Sequence, residues 1–179
     1  MPRCGEDGGA SGNVIEVTVA HLGLDRTTNA PVVILREKDG VRILPIWIGP
    51  AEASAIAMEM QGMKAPRPMT HDLLKQVVSG LGAELRRLVI ADVRENTYYA
   101  ELHLTRGGDD RFLVDSRPSD GIALALRLHA PIFAAESLLT SAVVGPDEDT
   151  SPAAPGIDAE QLKRYLQSLD PEDFGKFNL

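Results

Sequence analysis

The sequence predicts an α+β domain: an internally duplicated β-β-β-α-α unit, a mostly antiparallel or mixed sheet packed with helices, and a C-terminal helix. The first observation behind this expectation is a segment that recurs at a constant offset of 68 positions. Residues 44–57 read Leu-Pro-Ile-Trp-Ile-Gly-Pro-Ala-Glu-Ala-Ser-Ala-Ile-Ala, and residues 112–125 read Phe-Leu-Val-Asp-Ser-Arg-Pro-Ser-Asp-Gly-Ile-Ala-Leu-Ala. Both copies run from an apolar strand, through a break ending in proline, to an acidic residue and an apolar helix. Proline suits the first helical position, where its missing N–H is no loss. The acid two positions later, Glu52 or Asp120, meets the positive end of the helix dipole. The second observation is the order of the periodicities: three strand-like runs precede helical ones in each half, which argues helices layered on a sheet.

The elements follow in order. Residues 1–13 are rich in Gly, Ser and charge and read as a disordered tail. Val14 to Leu24 alternates as a strand, Asp25 to Ala30 is a turn, and Pro31 to Glu37 is a second strand. Lys38-Asp39-Gly40 reads as a hairpin turn with the glycine at positive φ. Val41 to Ile48 is apolar enough to be buried on both faces, with Trp47 in core or interface. Pro50 to Gln61 is a helix stopped by Gly62, and Pro66 and Pro68 mark a loop. Thr70 reads as the N-cap of a helix from His71 to Ser79. In the second half, strands cover 83–93, 97–105 and 111–116, and a helix spans 118–128. A short extended piece at 130–133 and a helix around Ala135 to Ser141 complete the unit.

The pseudo-repeats thus run over about 14–80 and 82–145 of one domain, 14–145. Residues 146–157 read as a linker, and 158–179 as an amphipathic C-terminal helix and tail, with Leu162, Tyr165, Leu166 and Leu169 on one face.

Composition narrows the class. Aromatics make up 4% of the chain, so the core is aliphatic. The single Cys4 forms no internal disulfide, no apolar run reaches the ~20 residues of a membrane helix, and residues 1–13 lack a signal-peptide pattern. The expectation is a soluble cytoplasmic protein without a membrane role. Of the net charge of −8, residues 146–179 hold 3 basic and 8 acidic residues, whereas 14–145 hold 14 and 16. No basic stripe of the kind that dominates phosphate-backbone affinity is present. The very apolar third strand and the many small helix residues favour close packing and a homo-oligomer.

Three runs carry a family resemblance: 44–53 (Leu-Pro-Ile-Trp-Ile-Gly-Pro-Ala-Glu-Ala), 67–74 (Arg-Pro-Met-Thr-His-Asp-Leu-Leu) and 114–127 (Val-Asp-Ser-Arg-Pro-Ser-Asp-Gly-Ile-Ala-Leu-Ala-Leu-Arg). In order and type they resemble the bifunctional nuclease domain family over roughly 14–145. The resemblance implies a nuclease acting on RNA, DNA or both, with nucleic acid as partner.

Phosphodiester hydrolysis needs an activated water and stabilisation of phosphoryl charge, which metal-dependent nucleases obtain from cations held by carboxylates. Hard oxygen ligands suit Mg²⁺ or Mn²⁺. Glu52, Glu59, Asp115 and Asp120 are the candidate ligands, and Glu52, His71, Asp72 and Asp120 the candidate catalytic residues. Arg67 and Arg117 suit a bidentate phosphate clamp, and Ser116 and Ser119 flank a helix start that suits an anion. Each has a structural reading too. Glu52 and Asp120 fit as dipole partners, Ser116 and Ser119 as caps, and Glu59 and Arg127 as exposed helix residues. His21, His103 and His129 form no zinc pattern. A non-catalytic homo-oligomeric module that uses the same polar cleft for a ligand or protein is therefore the alternative function.

Overall fold

The computed structural model describes residues 13–25, 27–108, 110–141 and 157–158. The expected N-terminal tail (save Asn13), the linker (save Ile157) and the C-terminal helix and tail (save Asp158) lie outside them, and Ile157 and Asp158 form a short strand rather than a linker end and a helix start. The strands are β1 (Val14–Asp25), β2 (Pro31–Glu37), β3 (Arg42–Trp47), β4 (Ala83–Arg94), β5 (Thr97–Arg106), β6 (Asp110–Ser116), β7 (Ile132–Ala135), β8 (Thr140–Ser141) and β9 (Ile157–Asp158). The helices are α1 (Pro50–Met60), α2 (Thr70–Gly80) and α3 (Pro118–Leu128). The α+β class holds. Among the described residues no helix is long and apolar enough to cross a membrane.

All strands form one mixed sheet in the order β6-β5-β4-β7-β1-β2-β3-β8, with β9 paired to β1. Two antiparallel meanders, β1–β3 and β4–β6, are joined by β7. That strand runs antiparallel to β1, with Val14 opposite Ala135, and parallel to β4, with Leu88 opposite Ile132. Ala134 is fully buried in this seam.

The order β-β-β-α recurs, but the β-β-β-α-α repeat does not. The helix expected around Ala135 to Ser141 is instead the end of β7, a 3₁₀ turn at Glu136–Leu138 and the two-residue β8. The seven-residue segment is too short to gain from helix cooperativity. Pairing between Thr140 and Ile43, and burial of Leu139, decide its conformation.

Other local expectations shift in instructive ways. Gly40 is not at positive φ, whereas Glu95 and Asn96 both are, giving the β4–β5 hairpin a primed turn that matches strand twist. Thr70 is the first residue of α2 rather than its cap; Met69 caps it, and the Asp72 carboxylate accepts the Met69 N–H at 3.0 Å. Burial on both faces of β3 holds for Ile43 and for Leu44 and Ile46, but Trp47 is half exposed and donates its indole N–H to Asp25 at 3.0 Å.

The helices cover one face of the sheet, with α3 packed against both α1 and α2. Small residues make this approach possible: Ala53 and Ala57 on α1, and Gly121, Ala123 and Ala125 on α3, are all buried. A Cβ on Gly121 would stand 2.5 Å from Leu88 Cδ1, so α3 lies directly on β4. Ile56, Ile122 and Leu124 of the helices meet Leu35, Leu88 and Ile90 of the sheet in one aliphatic core.

The α3 helix ends in a Schellman motif: the Ala130 N–H reaches the Ala125 carbonyl at 2.9 Å and the His129 N–H reaches Leu126 at 3.2 Å. His129, exposed and at φ 54°, occupies the left-handed position usually held by glycine. His129→Gly is expected to raise stability by about 0.5–1 kcal/mol by removing that strain. An unchanged or lower urea midpoint would show that the side chain stabilises this turn in another way.

Candidate functional site

The two repeated strand–proline–acid segments deliver their acids side by side. Gly49 and Arg117 are the N-caps of α1 and α3, with Pro50 and Pro118 next, so Glu52 and Asp120 occupy the first turns. The Arg117 guanidinium bridges them. Its Nη1 donates to Glu52 Oε1 at 2.9 Å, while Nε and Nη2 donate to the two oxygens of Asp120 at 2.7 and 3.1 Å. A third helix start completes the cluster: His71, in the first turn of α2, places Nε2 at 3.1 Å from Asp120 Oδ1.

Electrostatics follow from these contacts. Partial burial opposes ionisation of Asp120, but the hydrogen bonds from Arg117 and His71 outweigh it and hold its carboxyl below the ordinary value. Asp120, and then Glu52, push the Arg117 guanidinium up in turn. An ionised carboxylate only accepts, so His71 meets Asp120 through Nε2–H, and in a neutral ring that leaves Nδ1 as the acceptor. Arg117 is 66% exposed and, among the described residues, uses three of its five N–H donors.

A second cluster lies about two helical turns further along α1 and α3. Arg127, only 4% exposed, donates from Nε to Asp72 Oδ1 at 2.7 Å and from Nη1 to the carbonyls of Ala55 and Ala123 at 3.1 and 2.9 Å. Glu59 approaches it at 3.9 Å, and Lys75 of α2 donates to its carbonyl at 2.8 Å. Burial opposes ionisation of Asp72, but the Arg127 bond and the Met69 N–H hold its carboxyl below the usual range.

The structure thus gathers Glu52, His71, Arg117 and Asp120 in one surface cluster, and puts Asp72 and Glu59 in the neighbouring one. Asp115 stands apart, exposed on β6 opposite Glu101. Arg67 is exposed in the loop before α2 and makes no hydrogen bond among the described residues. Ser116 donates to the Arg117 carbonyl at 2.9 Å, and Ser119 is buried in the first turn of α3. Among the described residues, no three His, Cys, Asp or Glu side chains stand close enough to hold a metal ion by themselves. The expected four-carboxylate ligand set of Glu52, Glu59, Asp115 and Asp120 is therefore not assembled. Glu52 and Asp120 alone remain together, and an arginine lies between them.

Arg127 was readable as an exposed helix residue, and the structure overturns that. A signal was available: Asp120, Ala123 and Arg127 share one face of α3, and their offset counterparts Glu52, Ala55 and Glu59 share one face of α1. Two such faces in contact place Arg127 beside Glu59.

Residues 33–146 match the family described as bifunctional nuclease domain. The chain is 42% identical over 163 residues to an uncharacterized protein of Mycobacterium tuberculosis strain H37Rv, covering 89% of this chain and 97% of that protein. It is 31% identical over 114 residues to "Bifunctional nuclease 2" of Oryza sativa subsp. japonica, covering 62% of this chain and 35% of the rice protein. It is also 31% identical over 103 residues to "Bifunctional nuclease 2" of Arabidopsis thaliana, covering 56% and 31%. The chain spans about a third of the length of these plant relatives.

Because Asp72 is held below its ordinary pKa, its contribution to stability is complete above about pH 4 and is lost as pH falls through the lowered value. Asp72→Asn is expected to cost about 2–3 kcal/mol at pH 7, since it leaves the buried Arg127 with carbonyls and a distant Glu59. Urea midpoints of the variant and wild type should converge as pH falls through that lowered value. Equal midpoints at pH 7 would show that this pair does not hold α2 in place.

Proposed function

The chain belongs to the bifunctional nuclease domain family, and from that premise we propose that it hydrolyses phosphodiester bonds of RNA or DNA at the Arg117 cluster. The observation that carries the reading is the convergence of Glu52, His71 and Asp120, from three helix starts, around an exposed guanidinium with two N–H groups free among the described residues. Those free donors suit two oxygens of one phosphate. His71, oriented by Asp120 as a base through Nδ1, takes a proton from the attacking water. Three helix N-termini add positive potential where a phosphate would sit.

The two carboxylates formally outnumber the Arg117 guanidinium by one negative charge. Magnesium commonly binds through one or two carboxylates plus the substrate's own phosphates, keeping several waters. Glu52 and Asp120 fit that mode, so a Mg²⁺ or Mn²⁺ ion that arrives with the nucleic acid would be held by them. It would supply charge neutralisation at the phosphoryl oxygens.

The second reading is a non-catalytic binding module. It is favoured by the fact that both carboxylates of the cluster already have a guanidinium partner.

Labelled single-stranded RNA and DNA, incubated with purified protein in Mg²⁺, in Mn²⁺ and in chelator, separate the two. Cleavage is expected with metal and lost in chelator. His71→Ala and Arg117→Ala should each lower the rate by about 100-fold or more, with circular dichroism unchanged. Undiminished cleavage by both variants places the chemistry elsewhere. No cleavage by wild type under any condition makes the binding-module reading the better one.

A further inference from the structure

The two edges of the sheet are built differently. One ends in β8, two residues long, a length that leaves little to pair with. The other ends in β6, seven residues in unbroken register with β5 and without proline or lysine. Among the described residues no strand pairs with its outer edge. Apolar side chains are exposed on both of its faces: Phe112 and Val114 on one, and Leu113, 57% exposed, on the other.

We propose that β6 pairs antiparallel with β6 of a second copy of this chain, about a two-fold axis through Leu113, to make one sheet continuous across two protomers. Charge fixes both the occupant and the register. With Leu113 on the axis, Arg111 of each copy stands opposite Asp115 of the other, and Phe112 stands opposite Val114. Moving the axis to Val114 sets Arg111 against Arg117 and Leu113 against Asp115. Moving it to Phe112 sets Asp110 against Val114 and Arg111 against Leu113. Only the Leu113 register matches charge with charge and apolar with apolar.

The same residues are unbalanced within one chain. Arg111 and Asp115 make no ion pair among the described residues. Asp115 lies directly across from Glu101 on β5, a like-charge pair that destabilises an isolated hairpin. Arg111 of the second copy brings the missing counter-charge beside both carboxylates. The pairing uses the sheet edge and stands whether or not the Arg117 cluster is catalytic.

A charge-swap series read by sedimentation velocity on the full chain tests this. Wild type is expected to be dimeric at micromolar concentration. Arg111→Asp and Asp115→Arg each create two like-charge pairs across the axis and should raise the dimer dissociation constant by about tenfold or more. The double variant, and an equimolar mixture of the two single variants, should recover the dimer, because each restores opposite charges. Both positions are exposed, so thermal midpoints report that the variants stay folded. A monomeric wild type at 100 µM (on the order of the weak-interface limit), or an oligomer indifferent to the single swaps, overturns the proposal.

Discussion

Arg127 cannot remain charged inside the helix layer without acceptors, and those that meet it come from three different helices. Asp72 belongs to α2, the Ala55 carbonyl to α1 and the Ala123 carbonyl to α3 itself. Carbonyls within a helix are normally committed to its own ladder, so the guanidinium shares them only where α1 and α3 lie close together. Small side chains at Ala53, Ala57 and Ala123 allow that approach. The consequence reaches the surface. Once Asp72 is tied to Arg127, the preceding residue, His71, is carried to Asp120. The interior ion pair thus sets the geometry of the exposed one.

The two clusters differ in what their charges can do. Arg127 gives three hydrogen bonds to acceptors on three helices and is only 4% exposed, so its role is to hold those helices together. Arg117 has the same type of side chain at the mouth of the helix layer, but is two-thirds exposed. One guanidinium organises and the other is available. This division explains why Asp72, a plausible catalytic acid by its place next to His71, belongs with the architecture. It also explains why Glu59 does not join Glu52, seven residues before it on the same helix.

Local chemistry made much of this legible. The proline and acid at 50 and 52, and again at 118 and 120, mark helix starts without any knowledge of the fold. That both segments recur predicted a pair of carboxylates, and the pair exists. Long-range terms hid the rest. Ala134 and Ala135 have good helix propensity, yet β7 forms because Ile15 and Ile90 offer sheet partners far away in sequence. The burial of Arg127 depends on Asp72, 55 positions earlier. Asp115 shares a motif with Arg117 and Asp120, but strand alternation leaves it on the open sheet edge. No reading of spacing alone distinguishes it from a site residue.

On the proposed function, nucleic acid engages at the Arg117 cluster. The most direct measurement is an NMR titration of the isotope-labelled protein, in chelator, with a non-hydrolysable phosphorothioate oligonucleotide, following the Arg117 Nε–H and the His71 imidazole. These two signals are expected to move first and saturate together, with Asp120 and Glu52 following. Shifts confined to another surface, such as the shallow depression lined by Glu84, Arg86 and Arg111 at the far end of the β4–β6 meander, would contradict it.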